Sequence, residues 1–265
     1  MTARRVAVHR LGFERVQAPY GDPGADLALA ADVADGLQLQ PSRMRDYLRA
    51  RTAFFDSVVV RALERGVEQV VVGAAGYDGR AYRYAKPGVR WFELDHPVTQ
   101  RDKLARLRRL GVRFGHVRFV AADFTRGQVA DLLLSAGFDV AAQCLFLLEG
   151  VAVYLENTVL ESLLSQFRQV AAHGSHLAIS VALTASDQAA RERFQRSVAA
   201  MGEPALSVLE PGEAADLLAR TGWHVLESTG PDGIGPDGTG PDGQEARARR
   251  ERLRLAGLLM ARAAP

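Results

Sequence analysis

The spacing of apolar residues changes along the chain. Residues 1–40 carry little pattern, with Pro19, Gly21, Pro23 and Gly24 marking a loop before an Ala/Leu-rich stretch. The segment PSRMRDYLRARTAFFDSVVVRALERG then predicts a helix: Ser42 is placed to cap it, Met44, Leu48, Phe55, Val59 and Leu63 repeat at helical spacing, and Gly66 ends it. From there short apolar runs alternate with helical patterns. VEQVVVGAAG, VRWFELD, VRFVAAD, AQCLFLLEG and HLAISVAL read as five buried strands. Helices are predicted between them over Asp78–Tyr84, Pro97–Leu110, Arg126–Ser135 and Asn157–Ala172, and beyond them near Asp187–Ala200 and Gly212–Arg220. WHVLES and LRLAGLLMARA add two strands with no full helical pattern between them, which suits an antiparallel hairpin.

Apolar strands separated by helices imply an α/β protein, a mainly parallel seven-stranded sheet with helices on both faces. The expected division is an N-terminal helical lid over residues 1–66 and a nucleotide-binding domain over 67–265. Within the latter, the GPDG repeat of residues 230–243 reads as a flexible loop.

Composition narrows the function classes. The 265 residues are 48% hydrophobic and 24% charged, which is globular material, and no apolar run is long enough for a membrane span. The N-terminus lacks the apolar core of a secretion signal, so a cytoplasmic location is expected. A single cysteine, Cys144, excludes an internal disulfide and a multi-cysteine metal site. Thirty-three basic against 31 acidic residues leave a net charge of +2, and no nucleic-acid partner is implied. The arginine run from Arg247 to Arg254 is read as a solvated face.

The strongest local signal is VVVGAAGYDGRAYR, a glycine loop that closes the first strand and opens a helix. Glycines admit a ligand close to the backbone, and a helix N-terminus offers free N–H groups. The second strand ends about 20 residues later in Glu93-Leu94-Asp95, where a carboxylate can accept ribose hydroxyls. The pair points to a nucleoside ligand. Gly73, Gly76 and Gly79 repeat as G-x-x-G-x-x-G, and Tyr82 with Lys86 supplies Y-x-x-x-K, a combination that resembles the NAD(P)-dependent short-chain dehydrogenases. Those enzymes place the tyrosine far downstream, whereas here it lies on the first helix, so it is expected to cover the sheet. The 66-residue helical preface suits S-adenosylmethionine (SAM) better.

Four motifs in order, AAGYDGRAYR, ELDHP, ADF and EGVAVYL, resemble the leucine carboxyl methyltransferase family in its bacterial branch of SAM-dependent O-methyltransferases. The resemblance runs from about Arg43 to Leu183 and implies a Rossmann-like class I methyltransferase fold with SAM as cofactor. It implies Asp95 as the ribose acid, Asp123 and Phe124 at the adenine, Glu149 beside the methionine part, and Arg51 on the methionine carboxylate. Arg43, Arg45 and Arg49 compete with Arg51 for that role. Where the family has G-A-G, this chain has Ala74-Ala75-Gly76, preceded by Gly73. The sequence leaves open whether Gly73 or Ala74 takes the first glycine's place.

No nucleophile–base pair or metal spacing stands out among the six histidines and Cys144. Cys144 lies within an apolar strand and reads as core. A carboxylate acceptor is already ionised at pH 7 and needs no general base, so alignment and exclusion of water can suffice for methyl transfer. A hydroxyl acceptor would call on a base, with His96 and Tyr154 as candidates. The expected acceptor is a small molecule bearing a carboxylate or hydroxyl. A protein C-terminus, an oxidoreductase activity and a nucleoside-binding scaffold without chemistry are the competing readings.

Overall fold

The computed structural model describes residues 2–37, 45–183, 205–229 and 256–264, together with Glu192 and Arg196. Three helices come first: α1 (Thr2–Arg10), α2 (Pro23–Ala34) and α3 (Arg45–Glu64). Alternation then begins with β1 (Gln69–Gly73), the short α4 (Arg80–Arg83), β2 (Arg90–Asp95), α5 (Pro97–Arg109) and β3 (Val117–Ala121). It continues through α6 (Val129–Ser135), β4 (Cys144–Leu148), α7 (Asn157–Val170) and β5 (His176–Ala182). The described chain closes with α8 (Pro211–Arg220), β6 (Trp223–Thr229) and β7 (Ala256–Ala263).

The seven strands form one sheet in the order β3-β2-β1-β4-β5-β7-β6. β1 to β5 are parallel, and β7 runs antiparallel to both β5 and β6. The expected hairpin is therefore present, with its second strand inserted beside β5. The sequence suited a pairing of β6 with β7 but did not show which of them joins the parallel sheet.

Strand alternation splits the core into two layers. Val71, Phe92, Phe146 and Leu148 face one side, where they pack with α6, α7 and α8 around Phe167 and Trp223. Val70, Val72, Trp91 and Leu145 face the other side, together with Leu29 of α2 and Phe55, Val59 and Leu63 of α3. The apolar stripe predicted for α3 thus buries onto the sheet itself. α1 and α2 join the same layer through Ala7, Val8 and Val33, so the three N-terminal helices share a continuous core with the sheet.

Local boundaries moved where side chains competed with the helix. The helix expected over Asp78–Tyr84 shrinks to four residues because Asp78 folds back to accept from the Arg80 N–H at 2.8 Å. The one expected over Arg126–Ser135 divides into a 3₁₀ turn over Phe124–Arg126 and α6, broken at Gly127, whose φ of 64° ends the first turn. Ser42 and Met44, the helix near Asp187–Ala200, the GPDG repeat and the Arg247–Arg254 run lie outside the described residues. No described helix is long and apolar enough to cross a membrane.

Candidate active site

The chain runs outward from β1 to β3 and then returns to β4 on the opposite side of β1. Ligands of open α/β sheets bind at such a reversal, beyond the strand C-termini. A cavity of about 270 Å³ lies there, walled by the loop after β1, Asp95 at the end of β2, and Glu149 to Val151 after β4. Ala3, Val6 and Arg10 of α1 close it from above.

Each wall has a local cause. Gly73 ends β1, and an added Cβ there would stand 2.5 Å from Leu148 Cδ2, so a larger residue would require that side chain to shift. Ala74 follows with a φ of 52°, the one positive value at a non-glycine among the described residues. An alanine in this conformation is strained by roughly 1–2 kcal/mol. Of the two candidates, it is Ala74 that stands in the left-handed conformation, which glycine adopts without strain. Gly76, with a φ of 50°, turns its N–H onto Asp95 Oδ2. Asp95 Oδ1 accepts from the His96 N–H at 2.6 Å. Burial raises the Asp95 carboxyl above its ordinary value against these two donors.

Glu149 sits at the end of β4 in the opposite wall. Its Oε1 accepts from Arg51 Nε at 3.0 Å, and its Oε2 from Arg80 Nη1 at 2.5 Å and Arg10 Nη2 at 2.9 Å. Burial opposes ionisation, yet Arg10, Arg80 and Arg51 hold the carboxyl well below its usual range. The glycine of the E-G pair has a reason here. A Cβ on Gly150 would meet Arg51 Nη1 at 2.8 Å, and the Gly150 N–H is held by Ser180 Oγ at 2.7 Å.

Behind this wall the charges continue inward. Arg80 donates to Asp56 and Asp78, Arg15 to Asp56 and Asp26, and Arg83 to Asp26. Five buried arginines (Arg10, Arg15, Arg51, Arg80 and Arg83) thus share four carboxylates (Asp26, Asp56, Asp78 and Glu149). Among the described residues these groups number five cations and four anions. Arg10 lines the cavity, and its Nε is buried without a hydrogen-bond partner.

The predicted residues divide by position. Gly73, Ala74, Gly76, Asp95, Arg51, Glu149 and the candidate base Tyr154 all meet at the cavity. Asp123 and Phe124 do not line it. Asp123 caps the turn that follows β3, accepting from Thr125 N at 3.1 Å and Thr125 Oγ1 at 2.7 Å, and these bonds lower its carboxyl from the ordinary value. Phe124 packs against the core. His96 is an exposed cap of α5, with Nδ1 accepting from Val98 N at 3.3 Å. Arg49 is exposed beside Asp46, Arg45 is exposed, and Arg43 lies outside the described residues. The helix after the glycine loop is too short to offer N–H groups to an anion, and Asp78 already occupies its start. Tyr82 is buried against the sheet and Lys86 donates to the Leu63 carbonyl, so the Y-x-x-x-K pair stands away from the cavity. Sequence reasoning missed Arg10, whose helix shows no strong amphipathic pattern, and gave Arg80 no role beyond its motif.

A sequence profile of the leucine carboxyl methyltransferases matches residues 16–168, more than half of the chain. The chain belongs to the leucine carboxyl methyltransferase family. A protein of Saccharopolyspora erythraea named as a candidate S-adenosyl-L-methionine-dependent methyltransferase is 34% identical over 244 residues, covering 85% of this chain and 83% of its own. A protein of Mycolicibacterium paratuberculosis with the same name is 32% identical over 224 residues, covering 77% and 69%. Among solved structures, a methyltransferase fold from Thermobifida fusca superposes with a TM-score of 0.64 at 17% identity, over 99% of this chain and 94% of that one. The magnesium protoporphyrin IX methyltransferase of Synechocystis, solved with bound S-adenosylhomocysteine, gives 0.53 at 13% identity over 86% and 90%. This methyltransferase therefore has the class I fold and takes SAM as its cofactor.

Proposed function

We propose that this methyltransferase transfers the SAM methyl group to a carboxylate oxygen of a small-molecule acceptor. The observation that carries the reading is that the titratable groups of this part of the cavity wall already have partners: Glu149 accepts from Arg10, Arg51 and Arg80, Asp78 from Arg80, and Tyr77 donates to Asp102. Asp78 and Glu149 are buried but held in the anionic form, below their ordinary range, by Arg80, Arg10 and Arg51. Tyr77 is held protonated, its phenol pushed up to about 12 by burial and by Asp102. Such a wall is suited to binding and orienting charge rather than to removing a proton. A carboxylate acceptor arrives ionised and asks for no more.

The cofactor supplies an electrophilic methyl group on a sulfonium that leaves as a neutral thioether. Asp95 is placed to accept ribose hydroxyls, Arg10 and Arg51 to hold the amino-acid carboxylate, and Glu149 to stand beside the ammonium. α1 lies over the glycine loop, with Ala3 Cβ 3.1 Å from where a Gly76 Cβ would be, so it shields this end of the cavity from water. Within the expected N-terminal lid, we read α1 as the element that covers the cavity.

A hydroxyl acceptor is the second reading, favoured by Tyr154 in the cavity wall. Labelled-methyl transfer across matched carboxylic acids and phenols separates the two. Methyl esters release label as methanol in mild alkali, whereas methyl ethers keep it. Alkali-stable product from phenols, with acids inert, overturns the carboxylate assignment.

A further inference from the structure

Three consecutive residues of the glycine loop are fastened to a single neighbouring unit, the β2–α5 segment. The Gly76 N–H meets Asp95, the Tyr77 hydroxyl donates to Asp102 Oδ2 at 2.5 Å, and the Asp78 carbonyl oxygen accepts from Lys103 Nζ at 2.7 Å. Asp95 ends β2, and Asp102 and Lys103 are adjacent on α5. We propose that Lys103 and Asp102 are positioning residues for the cofactor, clamping the glycine loop at a fixed separation from Asp95. The inference rests on the reading of that loop and Asp95 as the adenosine side of the cavity.

Lys103 is the inner post. It is almost wholly buried, 1% exposed, and its ammonium also donates to Glu93 Oε2 at 2.6 Å. Glu93 is 2% exposed, and its Oε1 has no hydrogen-bond partner. A buried ion pair with an unsatisfied oxygen is a poor device for stability, because apolar residues of equal volume often do as well or better. The pair has a use if the ammonium is needed for its other contact.

The residue type points the same way. Of the 33 basic residues in the chain only Lys86 and Lys103 are lysines. Both donate to a backbone carbonyl, Lys86 to Leu63 at 2.6 Å and Lys103 to Asp78. A lysine ammonium is a compact donor with three N–H bonds that can serve a carbonyl and a carboxylate in different directions, whereas the guanidinium fork is planar. The Lys103 ammonium also lies over the Tyr82 ring, 5.6 Å from its centre.

Asp102 is the outer post, with its side chain 44% exposed, and it shares its Oδ2 between Tyr77 and Arg106. Neither Lys103 nor Asp102 lines the cavity, so each acts through the loop. With both posts in place, the loop residue carrying the Asp95 contact has little freedom to retreat when the cofactor enters. Preorganisation of this kind raises affinity by removing an ordering penalty.

The test separates loop positioning from simple charge neutralisation. In the double variant Lys103→Met with Glu93→Gln, no lone buried charge remains, so the ligand-free protein is expected to melt close to wild type. Its calorimetric Kd for SAM and for S-adenosylhomocysteine is expected to rise at least tenfold. Wild-type affinity in that variant means Lys103 only neutralises Glu93 and overturns its role. Asp102→Ala alters a half-exposed side chain and keeps the core intact. It should raise Kd several-fold at unchanged Tm, and unchanged Kd overturns the clamp even if the double variant does not fold. Asp32→Ala removes the other partner of Arg106 without touching the loop. An equal loss of affinity there would assign the effect to α5 packing and again overturn the clamp. If Asp95→Ala leaves SAM affinity intact, the adenosine-side reading fails; if Asp95→Ala weakens it and the clamp variants do not, the clamp alone fails.

Discussion

Arg10 Nη2 lies 2.9 Å from Glu149 Oε2, joining the first helix of the chain to the end of the central strand β4. The same guanidinium reaches Asp78 Oδ2 at 3.5 Å, so one side chain from α1 ties together both loops of the cavity. Arg51, which the resemblance assigns to the methionine carboxylate, shares Glu149 with it.

Arg10→Ala should weaken SAM binding and loosen α1. Losing a buried hydrogen-bonded charge contact is worth about 1–3 kcal/mol, and Glu149 keeps Arg51 and Arg80 as partners. A fall in Tm of several degrees is expected, with a rise in Kd of roughly tenfold. Limited proteolysis should cut between α1 and α2 in the variant faster than in wild type with SAM present. Equal protection in both proteins would show that α1 is held by its apolar face alone.

Ala74→Gly should be neutral or stabilising, unlike most glycine substitutions. Relief of the left-handed strain, roughly 1–2 kcal/mol, opposes the extra unfolded-state freedom of glycine, about 0.4–1 kcal/mol. Thermal melting decides it. A clear loss of stability would mean that the Ala74 methyl packs more than its backbone strains.

Asp95→Ala should raise Kd for SAM more than tenfold, from loss of about 1.5–3 kcal/mol of hydrogen bonding to the ribose. The Gly76 N–H loses its acceptor in the same variant, so Asp95→Asn is the sharper comparison, keeping an acceptor but not the charge. Titration calorimetry on both variants gives the charge-dependent part.

Glu93 gives a pH dependence of definite sign. Burial raises its carboxyl to about 7 even though Lys103 pulls it down. Between the ordinary glutamate range, about 4.3, and 7, the folded protein holds a proton that the unfolded chain has released. Stability from this group therefore falls as pH rises through that window. Glu93→Gln mimics the protonated form and should lose less Tm than wild type as pH rises from about 5 to about 7. His9 and His176, held below their ordinary value by burial, contribute with the opposite sign but equally in both proteins. Parallel Tm profiles would mean that Glu93 stays ionised across the range.

The strand–helix alternation, the glycine loop and the order of the motifs were legible in the sequence, because these follow from periodicity and from residues close together in the chain. The sequence placed Gly76, Asp95 and Glu149 at strand ends, and the sheet order gathers those ends into one cavity. It did not separate Gly73 from Ala74, since only the backbone torsion shows which of them turns left-handed. It could not show that Asp123 Oδ1 accepts from both the N–H and the hydroxyl of Thr125, because a capping acid and a ligand-binding acid have the same letter. Tertiary structure alone decided the partners of the arginines. Arg10, Arg51 and Arg80 come from three helices to a single carboxylate, and long charged side chains leave no periodic trace of where their heads meet. In a chain whose basic residues are nearly all arginine, a buried arginine and a solvated one read alike until packing excludes water from one of them.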